Sequence, residues 1–426
     1  MVWLALKKHT PVVCIGLVLT SAAMAEPARV SVSTGLEYSD NVGKDANNPK
    51  EDVSSITEFD VTHKLSKGPL TADLNIAAIY QNYLNNSFKS YFLTESTLDA
   101  TYQFNKQFSW MLEDQLSDVP EDSSKPDTPE NLVRLNVFKT GPKYTRYWNQ
   151  RNFTQLAAYF IDVSYEGRQI DSQRARGVAS QNWLYANLYQ SGLQAEVESA
   201  RIDDAKQTKT DIGSLAFLFG KTFRYGKWGG KLGGASLTRK DDEKLDATDE
   251  GWIGQFDVDY KVTGKTDFYF EVGREFTDSA SDKVLTGFDE LRVLRSVDVV
   301  EQDRVKVALK YDLNKRDRFQ FGFKSFSDKY QDQQYTEKSR NFNMRWAHWH
   351  TPRLQSALDV GRQFNDFSNT KTTKKVWKSG YSLAYFLMKN VKFATYLRYE
   401  DANFNKEGAD YNEFATGVTL TWMSRN

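Results

Sequence analysis

The chain has 426 residues, with 56 Lys+Arg against 56 Asp+Glu, one Cys, 9 Pro, and a 14% aromatic share built from 22 Tyr, 27 Phe and 10 Trp. One cysteine excludes a disulfide scaffold, the few prolines exclude a collagen-like chain, and balanced charge gives no electrostatic footprint for nucleic acid. A disordered chain does not carry this much aromatic surface, and a bundle of membrane helices needs several runs of about 18 or more apolar residues, of which only one stretch near the start comes close.

That stretch reads as a secretory signal. Lys7, Lys8 and His9 form its positive segment, Val12 to Leu19 its apolar segment, and Ala23-Met24-Ala25 the small-x-small pattern of a cleavage site. Cleavage is expected after Ala25, leaving residues 26–426 as one mature domain. Cys14 lies inside the apolar segment behind Pro11-Val12-Val13, the wrong place for a lipoprotein cysteine. The mature chain keeps 54 basic and 56 acidic side chains and no cysteine, so disulfides and cysteine-based zinc sites are excluded.

From Arg29 onward the dominant period is two, that of a strand with one apolar and one polar face. Trp252, Phe256, Val258, Tyr260 and Val262 alternate with Ile253, Gln255, Asp257, Asp259 and Lys261. Phe319, Phe321 and Phe323 alternate with Gln320, Gly322 and Lys324, and Val305, Val307, Leu309 and Tyr311 with Lys306, Ala308 and Lys310. In chain order the pattern predicts strands at 28–40, 52–66, 70–83, 90–104, 108–116, 133–147, 152–165, 172–189, 192–202 and 209–223, then 228–239, 250–262, 266–276, 295–312, 317–327, 337–349, 354–364, 374–387, 391–401 and 409–422. That is about 20 strands (18 to 22), and an even number puts both termini on the periplasmic side.

Tight turns are expected at Ser66 to Pro69, Asn105 to Gln107, Gln190 to Gly192, Arg224 to Lys227, Thr263 to Lys265, Asn314 to Asp317, Thr351 to Arg353 and Met388 to Asn390. Longer polar or acidic loops are expected at Ser117 to Glu130, Lys240 to Asp249, Thr277 to Phe288 and Asn365 to Thr373. Alternation of short and long connections is the habit of outer-membrane barrels. A soluble β-sandwich also alternates apolar and polar residues, but its strands average about five or six residues. These run to about ten or more, enough to cross a bilayer at a tilt. Their aromatic-rich apolar faces suit interfacial girdles and their charged faces suit a water-filled interior. The expected fold is all-β: a single transmembrane up-and-down antiparallel β-barrel in the outer membrane of a Gram-negative bacterium.

Chemistry is sparse. His348 and His350 share a face with Phe342, Met344 and Trp346 beside a turn, which reads as a membrane rim, not a metal site. His63 with Asp60 nearby gives no nucleophile constellation, so no catalytic residue, metal or cofactor is assigned. The glycines from Gly226 to Gly234 lack the strand-loop-helix context of a phosphate loop and read as close strand packing. By parity the lumen is expected to be lined by Asp257, Asp259, Glu271, Arg304, Lys306, Lys310, Lys324, Arg345, Lys378, Lys392 and Arg398, with Trp183, Tyr185, Tyr269 and Tyr396. Both signs are present, with a basic excess in the second half, and aromatics can stack on sugar rings. At the C-terminus, Gly417-x-x-Leu420-x-Trp422 resembles the β-signal read by the outer-membrane assembly machinery, with Met423 to Asn426 following the aromatic.

The opening Gly35-Leu36-Glu37-Tyr38-Ser39-Asp40-Asn41-Val42, followed by Tyr80-Gln81-Asn82-Tyr83 and Leu98-Asp99-Ala100-Thr101-Tyr102, resembles the EpsL-like outer-membrane β-barrels associated with exopolysaccharide biosynthesis and export systems. The resemblance implies a passive pore in polysaccharide export, with the polysaccharide and periplasmic export components as partners beside outer-membrane lipids, and it brings no catalytic residues. A small-solute porin, or a plugged barrel acting as adhesin or structural anchor through its acidic loops, are the alternatives.

Overall fold

The computed structural model describes residues 28–122, 124–167, 170–185, 188–240, 247–281, 298–405 and 409–424; the segment expected as a secretory signal, with its expected cleavage site, lies outside them. Twenty strands follow in order: β1 (Arg29–Ser39), β2 (Asp52–Lys67), β3 (Leu70–Tyr83), β4 (Tyr91–Gln103), β5 (Phe108–Pro120), β6 (Leu132–Tyr147), β7 (Asn152–Tyr165), β8 (Asp171–Leu184), β9 (Tyr189–Asp203), β10 (Lys209–Phe223), β11 (Gly226–Lys240), β12 (Ala247–Thr263), β13 (Thr266–Asp278), β14 (Val299–Asp312), β15 (Asp317–Tyr330), β16 (Tyr335–Thr351), β17 (Leu354–Phe367), β18 (Thr372–Met388), β19 (Val391–Phe404) and β20 (Tyr411–Met423). Each pairs antiparallel with the next, and β20 closes on β1 from Ser31↔Met423 to Ser39↔Ala415. Closure leaves no sheet edge, so every strand finds its ladder partner without water, as a bilayer requires.

Direct cross-strand partners share a face, so the register sorts residues into two sets around the whole ring. The outward set carries the large exposed apolar side chains, among them Leu36, Phe59, Leu156, Leu193, Leu215, Leu232, Leu397 and Leu420. Aromatics mark its two rims: Tyr102, Trp110, Tyr144, Trp346, Tyr385 and Trp422 near the short turns, and Tyr38, Tyr80, Phe92, Trp252, Trp377 and Phe414 toward the long loops. This is the girdled, lipid-facing band of a membrane barrel.

Three connections depart from expectation. β8 ends at Leu184 and β9 begins at Tyr189, so the turn lies at 185–188 and Gln190 to Gly192 belong to β9. The long loops are also shorter than their polarity suggested: β5 runs to Pro120, and β17 and β18 leave only residues 368–371 between them. Polar residues there extend strands above the bilayer, where both faces meet water. The glycines from Gly226 to Gly234 lie within β11.

Among the described residues the ladder ends early between β12 and β13. Pairing between β12 and β13 stops at Gly254↔Arg274, although β12 continues upward to Ala247 and β13 to Asp278. β13 keeps its pairing with β14 to Asp278↔Val299, and β14 keeps its pairing with β15 to Val300↔Tyr330, so the upper end of β13 parts from β12 alone and bends inward as the free side of the β13–β14 hairpin. Phe276 marks the bend: its ring occupies the space a Cβ on Gly251 would need, 2.5 Å away.

Candidate functional site: a latched hairpin in the lumen

The inward hairpin is held by a charge cluster and two apolar patches. Arg174 on β8 is fully buried; its guanidinium donates to both oxygens of Asp278 at the end of β13 (2.9 and 2.6 Å) and to Glu198 on β9 (2.7 Å). Thr210 on β10 donates to Asp278 at 2.9 Å, and Arg176 secures the second oxygen of Glu198 at 2.5 Å. These residues lie on the inward face because they pair in register with inward neighbours: Arg174 with Ile161 and Ala200, Thr210 with Ala200. Asp278 also accepts from the Ala280 amide (3.0 Å), and the Ser172 hydroxyl reaches the Ala280 carbonyl (3.5 Å).

Apolar packing completes the latch. Phe276 and Val299 pack with Ala216, Ala235, Leu237 and Ile253 from β10 to β12. Ala280 joins a second cluster with Val133, Leu135, Ile161, Val163 and Ile202 from β6, β7 and β9. Apolar side chains on the lumen face of a water-filled barrel would be anomalous; here they are the seat of the hairpin. From above, Asp298 accepts the Asp332 and Gln333 amides at 3.0 and 3.1 Å, and Arg239 of β11 meets Asp332, so the β15–β16 connection caps the hairpin. Burial pushes the Asp298 carboxyl up, and those amide donors partly offset it.

A second element crosses the mouth. The connection after β5, the C-terminal part of the acidic loop expected at Ser117 to Glu130, reaches Lys374 on β18, whose ammonium donates to the Lys125 carbonyl (2.9 Å) and lies 3.7 Å from Asp127. Next to it, Lys44 from the β1–β2 connection bridges Glu400 (3.1 Å) and Glu413 (3.8 Å), and Tyr411 donates to Glu400 at 2.6 Å. The extracellular mouth is thus crossed from both sides.

The register places Asp257, Asp259, Tyr269, Glu271, Arg304, Lys306, Lys310, Lys324, Arg345, Lys378, Lys392, Tyr396 and Arg398 on the inward face. It does not place Trp183 there: Arg174 and Arg176 fix the inward parity of β8, and Trp183 falls on the other face, opposite Ser191. Tyr185 sits in the turn with its hydroxyl 3.1 Å from Ser191. Trp183 departs from the expected inward position because the outward face of β8 carries only small or polar residues before it, and Tyr185 departs because it lies beyond the strand. Arg304 pairs with Glu271 (3.1 Å), Arg345 with Asp359 (3.2 Å), Lys378 with Glu400 (3.2 Å) and Arg398 with Glu37 (3.4 Å). Lys306 stands directly opposite Lys324, and the two line a cavity of about 740 Å³ with Arg345, Lys378, Tyr396 and Arg398. Across the lumen, β2 to β5 turn Glu58, Asp60, Asp73, Glu95, Asp99 and Glu113 inward.

Elsewhere, His63 and Asp60 lie on opposite faces of β2, so they form no pair. His348 bonds Asp317 at 2.7 Å and His350 bonds Ser356 at 2.9 Å on the rim near the short turns. Among the described residues no group of three or more His, Cys, Asp or Glu is arranged to hold a metal ion.

The closed ring, the girdled apolar exterior and the charged interior together define an outer-membrane β-barrel of a Gram-negative cell. No family model matches the chain, and no curated protein matches it. Among solved structures, it is similar to the FrpB iron transporter of Neisseria meningitidis (F3-3 variant), at 10% identity and TM-score 0.47, covering 94% of this chain and 82% of that one. It is also similar to the siderophore receptor PirA of Pseudomonas aeruginosa (10%, 0.43, 93% and 80%) and to the outer membrane protein OpdK of the same organism (10%, 0.36, 94% and 100%).

Proposed function

We propose that this chain is an outer-membrane channel taking part in exopolysaccharide export, a passive pore gated at its extracellular mouth by the β13–β14 hairpin. The observation that carries the channel reading is the charged, aromatic-lined lumen beneath a hairpin held mainly at the upper ends of its two strands. A purely structural plug would have little use for a hydrated, two-signed interior beneath it. The polysaccharide reading draws on the resemblance of Gly35 to Val42 and on Tyr269 and Tyr396, rings set among cations where they can stack on sugars and the cations can meet acidic groups. The test is a strain lacking the chain: surface polysaccharide should fall while growth on small nutrients holds. Normal polysaccharide with a nutrient defect would identify a small-solute porin instead.

The opposed walls give this reading a second measurable consequence. In protein opened by Asp278→Ala, replacing Lys306 and Lys324 by Glu makes one wall match the other, and the chloride-to-potassium permeability ratio should drop by about threefold or more in reversal-potential measurements. An unchanged ratio would mean that ions do not pass this cavity.

A further inference from the structure

The outward face carries a basic patch that the channel reading does not use. Along β15 to β18, apolar outward residues give way abruptly to cations: Phe342 to Arg340 and then Lys338 on β16, Val360 to Arg362 on β17, Trp377 to Lys375 on β18, with Lys329 on β15 higher still. The register brings them together: Phe342↔Arg362↔Trp377 form one row, Arg340↔Phe364↔Lys375 the next, and Lys338↔Asp366 the third. All five cations are exposed. None forms an ion pair with a carboxylate among the described residues; Lys375 lies over the Phe364 ring, 5.9 Å from its centre.

Three carboxylates stand beside these cations on this face. Asp366 stands opposite Lys338, Asp401 opposite Trp377 and Glu301, which pairs with Arg274, opposite Lys329; none is engaged in an ion pair with the five. Other outward cations at this level are treated differently: Arg134 is held by Asp118 (3.2 Å) and Glu166 (3.5 Å), and Arg274 by Asp303 (2.6 Å) and Glu301 (3.2 Å). Neighbouring like charges on adjacent strands repel unless an anion sits among them.

Depth identifies that anion. From Arg340 to His350, which lies at the rim near the short turns, β16 rises about 33 Å along the strand, or about 25 Å along the membrane normal at the usual tilt. That matches the apolar thickness of an outer-membrane barrel, so Lys338, Arg340 and Lys375 stand at the headgroup level of the outer leaflet, above Phe342 and Trp377, which contact acyl chains, while Arg362 shares the row of those two rings and Phe364 lies between Arg340 and Lys375. We propose that β15 to β18 form a binding site for a phosphorylated glycolipid of the outer leaflet, with Lys338, Arg340, Arg362 and Lys375 on its phosphates and the aromatic row beneath its sugars.

The site is independent of the lumen, so its test is too. The full-length barrel, extracted in mild detergent, is incubated with bis-phosphorylated lipid A and with the same lipid stripped of phosphate, and bound lipid is counted by native mass spectrometry. Parent protein should retain the phosphorylated form, and Lys338→Gln/Arg340→Gln/Arg362→Gln/Lys375→Gln should retain at least about tenfold less. Arg134→Gln should retain it fully. Millimolar inorganic phosphate should fail to compete, because the acyl chains share in the binding; full competition would reduce the site to a phosphate site and overturn the lipid assignment. Equal retention of both lipids, or equal retention by parent and quadruple variant with the heat-modifiable folded band intact, would also overturn it.

Discussion

Asp278→Ala should turn a closed barrel into a conducting one. In the parent, among the described residues of the hairpin, Asp278 is the side chain that reaches β8 and β10 at once, through Arg174 and Thr210. Removing it leaves Arg174 paired with Glu198, so the wall keeps its charge balance and the hairpin alone loses its anchor. Arg174→Ala should act more strongly, because it strands Asp278 and leaves Glu198 with Arg176; unpairing buried charges costs about 3–5 kcal/mol. Even about 3 kcal/mol shifts a closed-to-open equilibrium by more than a hundredfold. In planar bilayers the parent should show rare, small openings and both variants sustained ones, Arg174→Ala the larger. Phe276→Ala should add to Asp278→Ala by loosening the apolar seat on Ala235, Leu237 and Ile253. Should both single variants fold, shown by heat-modifiable migration, and still conduct like the parent, the hairpin is a fixed part of the wall and the gating idea fails.

The latch explains where the sequence was readable and where it was not. Strand number and course follow from the two-residue period, because a lipid-facing side chain and a lumen-facing one have opposite demands at every step. The same rule misled at β8. Its outward face reads Gln173, Ala175, Gly177, Ala179, Gln181, with no large apolar residue until Trp183, so nothing in the pattern distinguished the faces or the end of the strand. The hairpin itself was read as a polar loop from Thr277, since Asp278, Ser279 and Ser281 are the residues of a solvated tip; their burial depends on Arg174, about a hundred residues earlier. A signal was present all the same. On β6, Val133, Leu135 and Val137 face inward while Arg134 and Asn136 face outward, an inverted pattern that a water-filled lumen does not tolerate. Apolar residues on the inward parity at the extracellular ends of β6, β7 and β9 announce something packed inside. They cannot say which loop it is, because contact across a lumen leaves no periodicity.

The seam between β1 and β20 is where a single methyl group should do most damage. Gly35, inward on β1 opposite Thr419, lies so close to β20 that a Cβ would sit 2.2 Å from the Val418 carbonyl oxygen and 2.8 Å from Thr419 Cγ2. The first obstacle is backbone, fixed by the ladder on either side, so no rotamer change relieves it. Gly417, the inward residue of the C-terminal motif, is tight for a softer reason: the Tyr396 ring lies across it, 2.5 Å from where a Cβ would stand, while its hydroxyl donates to Glu37 at 2.7 Å. Glu37 also takes Arg398, and Arg398 and Ser39 share Glu413, so the tyrosine is tied into the bonds that span the join. Gly35→Val should therefore prevent β1 from seating on β20. Overpacking in an established core costs about 1–3 kcal/mol, but here the alternative is two open edges in a bilayer, which no partner satisfies. Folded protein in the outer membrane should fall to near nothing, read as loss of the heat-modifiable band. Gly417→Ala should be milder, because Tyr396 can swing aside at the loss of its bond to Glu37. Leu36→Val, one residue along and lipid-facing, should assemble normally. If Gly35→Val reached the membrane at parental levels, β1 and β20 would not meet in the register that closes the ring.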